Sequence, residues 1–278
     1  MHVVKKLGRI FHWTLRLLLL LLVIDLIYLR LIWPDWKTLA KGDIPKSSFI
    51  TAYQSKRLQN KNWPRLQWHP IPIAKIPLQV IRAVFVGEDS RFYTHSGFDI
   101  IAIREAFEYN WTQGRLALGA STISQQTVKN LFLSPARTPW RKWHELVLTW
   151  ALEHHLSKRR ILEIYLNTAE FGRGIYGVEA ASENYWGTPI NKVTVQQAAE
   201  LAASLPGPKK NNPAHRTTFF VHHTHKIAAV LEHEFQMTSA PPLTGPPPQA
   251  ELPPPEPADT PNDNAAPIVE PKPGAQAI

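Results

Sequence analysis

Between Ile10 and Ile32 the chain is apolar almost without interruption, and Leu17 to Ile24 contains only Leu, Val and Ile. As a helix these 23 residues reach across ~30 Å of hydrocarbon. Arg16 and Asp25 interrupt the run. An arginine near a helix end snorkels to the interface, whereas an aspartate at the centre costs ~2.5–3.5 kcal/mol on insertion scales. Tyr28, Trp33 and Trp36 suit an interfacial belt, and no small-residue cleavage site follows. An uncleaved transmembrane anchor over residues 1–36 is therefore expected, rather than a signal peptide. Lys5, Lys6 and Arg9 precede the run and Lys37, Lys41 and Lys46 follow it, so charge counting leaves its orientation open.

Residues 37–74, with Pro64, Pro70 and Pro72, read as an irregular connection. From residue 75 to 238 the apolar positions recur at helical spacing. Helices are expected over Pro77–Gly87, over Asp99–Thr112 with Gly114 as the stop, and over Thr122–Phe132 with Ser121 as the N-cap. Thr138 and Pro139 open another, whose apolar stripe runs through Trp143, Leu146, Val147, Trp150 and Ala151 to about Leu156. Ser157 caps Lys158–Leu166, and a glycine-punctuated stretch surrounds a short helix, Val178–Tyr185. Thr194 with Gln197 forms a capping box for a helix ending near Leu205, stopped by Pro206 and Pro208. A last helix covers Phe219–Phe235, and no run alternates as strands do. The fold class is mainly α.

Composition adds a charge asymmetry. The 278 residues carry a formal +9 and no cysteine, which excludes thiol nucleophiles and Cys-ligated metals. Residues 239–278 hold 13 of the 25 prolines, and five acids against Lys272 give them −4, so the remainder is +13. The tail is expected to be disordered, and the basic body points to nucleic acid, anionic lipid or a phosphorylated substrate. No nucleic-acid fold motif accompanies the charge, so nucleic acid is set aside. His222, His223 and His225 do not share one helical face, and no metal site is expected there.

Three segments carry candidate chemistry. Glu88-Asp89 follows an apolar run, with His95 and Gly97 in the turn beyond, and a carboxyl at such an edge suits general acid–base work. Residues 119–130 place Ser121, Gln125, Gln126 and Lys129 at a helix start, a set of donors and one ammonium fit for an anion. Arg141, Lys142 and Glu145 share a face at helical spacing and can hold a diphosphate directly, or through a divalent ion on the carboxylate.

Read together over about residues 75–215, these segments resemble the peptidoglycan glycosyltransferases. The match is carried in order by Glu88-Asp89, Phe92, His95 and Gly97; by Gly119, Ser121-Thr122, Gln125-Gln126 and Lys129; by Arg141, Lys142, Glu145 and Glu153 through Tyr165-Leu166-Asn167; by Phe171-Gly172, Gly174, Gly177 and Tyr185-Trp186-Gly187; and by Ala198 to Pro206. The 57 positions from Glu88 to Glu145 are those the family pattern expects. Trp186 stands for the usual Phe, and the stretch from Pro206 departs from the usual Pro-Asn-Pro. Neither Ser-x-x-Lys nor Lys-Thr-Gly occurs, so the likeness is to monofunctional members without a transpeptidase domain.

The resemblance implies a lysozyme-like domain with head and jaw around a cleft, held at the inner membrane and facing the periplasm. It implies polymerisation of lipid II into β-1,4-linked GlcNAc-MurNAc strands with release of undecaprenyl diphosphate. Glu88 is the implied base. Glu145 with Lys142 and Arg141 would stabilise the departing diphosphate, with Mg²⁺ or another divalent cation as an optional cofactor. Ser121, Gln125, Gln126, Lys129 and Arg137 would bind substrate, His95 would fix a turn, and Trp111–Leu118 would line the jaw or form a mobile loop. Implied partners are lipid II, the growing strand, the bilayer and other cell-wall synthesis proteins. The rival readings are a lytic glycosidase on the same fold and a non-enzymatic cell-wall scaffold.

Overall fold

The computed structural model describes residues 2–115, 119–136 and 138–239, side chains of 2–5 and 237–239 aside. The disorder expected for the tail concerns positions that, from residue 240 on, lie outside these. Helix α1 spans His2–Ile32, longer than the apolar run alone. Leu17 to Leu22 are about half exposed or more, and of the described side chains in α1 only Asp25 and Leu29 are buried. The expected spanning helix needs correction: among the described residues no helix is long and apolar enough to cross a membrane, and Arg16, Asp25 and Arg30 lie along α1.

The stretch read as irregular is the largest departure. It contains α2 (Trp36–Lys41), capped by Asp35, and α3 (Ser48–Gln59), capped by the Ser47 hydroxyl, which accepts from Ile50 N–H. Pro64, Pro70 and Pro72 mislead because they follow α3 and lie outside the α-helices. There Gln67–Trp68 (β1) pairs parallel with Ile175–Tyr176 (β3), which pairs antiparallel with Glu170–Gly172 (β2). Strands this short leave no alternation to read.

The remaining helices fall close to expectation: α4 (Leu78–Glu88), α5 (Ile100–Gln113), α6 (Ile123–Phe132), α7 (Pro139–His155), α8 (Lys158–Thr168), α9 (Val178–Trp186), α10 (Val195–Ser204) and α11 (Thr218–Ser239). One cap differs. Thr122, not Ser121, starts α6, because Gln125 three residues on closes a capping box with it. Ser121 is thereby left exposed.

Two helix groups share a single core. Helices α4, α10 and α11 pack together, as do α6, α7 and α8. Val80, Val84, Ile123, Val128, Leu148, Leu152, Ile164 and Leu201 are fully enclosed within it. Of the expected α7 stripe only Ala151 joins this core. Leu148, Ala151 and Leu152 are buried, while Trp143 and Trp150 stand 49% and 61% exposed. On α5, Ile100 and Phe107 are likewise exposed and only Ala106 is buried. Apolar periodicity marks a face, not what the face meets.

Gly177 begins α9 with φ +82°, and a Cβ there would lie 2.9 Å from the Asn167 carbonyl oxygen. Gly177→Ala is expected to lose ~1–3 kcal/mol of stability, read as a lowered midpoint in denaturant titration. An unchanged midpoint would show that the backbone relaxes at no cost.

Candidate active site

Two helix ends build the surroundings of Glu88. Glu88 is the last residue of α4, and Asp89 follows as its C-cap. The Asp89 carboxylate accepts the backbone N–H of Ile123 at 2.9 Å, the first residue of α6. It also accepts from His95 Nε2 at 3.0 Å, while His95 Nδ1 accepts the Gly97 N–H at 3.2 Å. Each ring nitrogen is thus committed, and His95 fixes the turn as expected. Gly97 has φ +93°, and a Cβ there would press on Thr149 and Glu153. Its carbonyl accepts from the Thr122 hydroxyl at 2.7 Å, a second tie to the start of α6.

With α4 docked on α6 in this way, Glu88 meets the first turn of α6. Gln126 Nε2 donates to Glu88 Oε2 at 2.5 Å, and the hydroxyl of fully buried Tyr165 donates to Gln126 Oε1 at 3.2 Å. Burial pushes the Glu88 carboxyl up to about 7, against the opposing pull of the Gln126 bond and the Lys129 charge. Burial also holds the Tyr165 hydroxyl in its protonated form by raising its pKa well above the usual tyrosine range. The chain Tyr165–Gln126–Glu88 therefore has one direction of donation and leaves Glu88 poised between acid and base near neutrality.

Beside it lies a cavity of about 390 Å³ lined by Phe49, Ser121, Gln125, Gln126, Lys129, Pro135, Ala136, Arg141, Lys142 and Glu145. Ser121 also lines a smaller cavity of about 190 Å³ that holds Glu88 and Asp89, so the two adjoin. Glu145 is buried and accepts from Arg141 Nη1 and Lys142 Nζ, each at 2.5 Å. Arg141 Nε is buried with no hydrogen-bond partner among the described residues. Lys129 makes no ion pair within 4.0 Å among the described residues, and burial lowers its pKa while Glu145 and Glu88 oppose the shift. Three cations against one carboxylate give this cavity a formal +2 beside Glu88.

The expected residues thus converge, with changed parts. Gln126 is committed to the Glu88 carboxyl. Gln125 borders the cavity, but its oxygen accepts the Thr122 N–H at 3.1 Å as the cap of α6. Arg137 lies outside the described residues, as do 116–118 of the expected jaw segment. Tyr165, Phe49, Pro135 and Ala136 were missed. Tyr165 sits on an apolar helix face with no local sign that its hydroxyl reaches Gln126. The other three lie in segments without motif.

A divalent ion does not fit the donor set. Both Glu145 oxygens are taken by Arg141 and Lys142, and no second carboxylate lines that cavity. Asp89, His95 and Asp99 do bring ligand atoms within 4.8 Å of one another. Asp89 is held by His95 and Ile123, however, and Asp99 by Arg91 Nε at 2.8 Å and the Ala102 N–H at 2.8 Å. The cluster is an internal crosslink.

Comparison with known proteins agrees with this geometry. The family model described as Transglycosylase matches residues 55–233, and the chain belongs to that family. It is 43% identical over 200 residues to the biosynthetic peptidoglycan transglycosylase of Methylobacillus flagellatus, covering 71% of this chain and 85% of that one. It is 43% identical over 208 residues to the protein of the same name from Nitrosomonas eutropha, covering 73% and 83%. Identity is 46% over 168 residues with that of Nitrosospira multiformis, covering 59% and 72%. The chain is thus an enzyme of the peptidoglycan glycosyltransferase class.

With Glu88 acting in its ionised form, kcat/KM is expected to rise with pH to a plateau, with a midpoint near 7. The Gln126 bond favours the ionised form, so Gln126→Leu moves that midpoint higher. A midpoint that stays in place in the variant's pH–rate profile would remove Gln126 from the tuning of the base.

Proposed function

We propose that the chain polymerises lipid II into β-1,4-linked GlcNAc-MurNAc strands with release of undecaprenyl diphosphate. The observation that carries this reading is a carboxyl poised near 7 beside a cavity of formal +2. Glu88 takes the proton of the acceptor's GlcNAc 4-hydroxyl as that oxygen attacks the donor's MurNAc C1. The C1–O bond to the diphosphate breaks with inversion, and the leaving diphosphate takes the bond's electron pair. Lys129, Arg141 and Lys142 bear that developing charge, and Glu145 holds the last two in place. Ser121, exposed at the cavity, supplies a further donor to the donor substrate. A lytic glycosidase, whose leaving group is a sugar, has no use for such a cation set.

The lysozyme-like head-and-jaw arrangement and attachment at the inner membrane, with the catalytic domain in the periplasm, belong to the same reading. Exposed apolar side chains support a bilayer contact: the leucines of α1, Ile100, Phe107 and Trp111 on α5, and Trp143 and Trp150 on α7. Asp25, the acidic residue of α1, is 5% exposed and hydrogen-bonded to α7, so it presents no bare charge to lipid. An anchored enzyme meets a lipid-linked substrate at high effective concentration.

Incubation of the full-length chain with labelled lipid II is expected to give polymer that a muramidase digests. Glu88→Gln is expected to reduce that polymer ~10²–10⁴-fold with lipid II binding retained. Cleavage of preformed glycan without polymer would favour the lytic enzyme. Polymerisation by Glu88→Gln within about tenfold of the wild type would mean that Glu88 is not the base.

A further inference from the structure

The first two turns of α7 carry Arg141, Lys142 and Glu145, yet they are poorly held by the core. From Pro139 to Val147 no apolar side chain is buried: Trp140 and Trp143 are each 49% exposed, and the enclosed apolar residues begin at Leu148. From outside the cleft an acidic side chain of α1 is hydrogen-bonded to this segment. Asp25 Oδ1 accepts from His144 Nε2 at 2.7 Å, and its Oδ2 accepts from Trp143 Nε1 at 3.0 Å. His144 is itself 1% exposed, with the Tyr28 ring 4.7 Å from it and the Trp140 ring edge-on at 4.9 Å.

Residues 143 and 144 sit between the two cations and Glu145 in the sequence. A carboxylate that takes one bond from each fixes the rotation of the helix about its axis. That rotation decides where the neighbouring side chains at 141, 142 and 145 point. Farther along, Trp36 stacks on His155 at 5.4 Å, so α1 and α2 follow α7 toward its C-terminus. Within an otherwise leucine-rich helix, an aspartate is a costly choice unless both of its oxygens are used in this way.

We infer that Asp25 is a positioning residue for the diphosphate subsite: held by Trp143 and His144, it sets the aim of Arg141, Lys142 and Glu145, and α1 is thereby part of the active site's framework as well as a tether. This rests on the function proposed above. Small displacements of charge-bearing groups are felt strongly at such sites, up to ~10²-fold for about 1 Å.

The test uses the full chain in phospholipid nanodiscs and compares Asp25→Leu, Asp25→Asn and Leu29→Ala. Leu29 is buried on the same face of α1, four residues on, and makes no polar contact through its side chain. Expected for Asp25→Leu is a ~10-fold rise in KM for lipid II and in the inhibition constant of undecaprenyl diphosphate, with kcat also lowered because the displaced cations bear the charge of the leaving diphosphate. Asp25→Asn, which keeps an oxygen for one donor, falls between, and Leu29→Ala matches the wild type. Should Asp25→Leu fail to fold, as read by its unfolding midpoint, Asp25→Asn carries the comparison. The inference is overturned if the folded Asp25 variants keep both constants, or if Leu29→Ala raises them equally. A wild type inactive on lipid II would instead sink the proposed function, and direct binding of inorganic diphosphate to wild type and Asp25→Leu then decides the positioning role alone.

Discussion

The carboxylate of Asp89 joins the two halves of the cleft. It closes α4, accepts the first N–H of α6 and receives His95 from the following turn. A helix N-terminus has unsatisfied N–H groups and favours a negative partner, so one side chain meets several needs at once. Glu88 precedes Asp89 directly, and Gln126 lies one turn beyond Ile123. Docking one helix end on the other therefore sets the Glu88 carboxyl against the Gln126 amide with no adjustment of its own. The short distance from Glu88 to Gln126 is a result of that docking.

From this junction the cleft divides its charge. On one side is a carboxyl whose surroundings resist ionisation, fed by a donor chain from Tyr165. On the other, Arg141, Lys142 and Lys129 outnumber Glu145. A base must be able to shed and take a proton near the working pH, whereas a subsite for a leaving diphosphate must keep its charge. The two requirements conflict if the groups mingle. Here the carboxyl and the cations are kept on different helices, Glu88 on α4 and the cations on α6 and α7, and Lys129 feels both Glu88 and Glu145.

The unusual surface follows from the same arrangement. Helix α5 and one face of α7 turn apolar side chains outward, and α1 exposes most of its leucines, while the core is filled from α4, α6, α8, α10, α11 and the other face of α7. An average over the residues of α1 treats Asp25 as one more exposed charge. In the folded chain that charge is enclosed by His144 and Trp143.

The sequence by itself determined most of the helices, because caps and stops are local. Thr138 with Pro139, Ser157, and the Thr194–Gln197 box each act on neighbours a few residues away. It also brought the candidate residues into view, since Glu88, Lys129, Arg141, Lys142 and Glu145 fall in recognisable spacings. Hidden from it were relations that cross the chain. Ser121 gave way to Thr122 as the cap of α6 only by one position, yet that step frees Ser121 for the cleft. The short strands at 67–68, 170–172 and 175–176 exist through pairing between distant segments, not through propensity. Tyr165 behind Gln126, and Asp25 beneath His144, are contacts across 39 and 119 positions. Only tertiary structure decides them, because a hydrogen bond between distant residues leaves no periodicity along the chain, and a buried polar group shows its purpose only through the partner it meets.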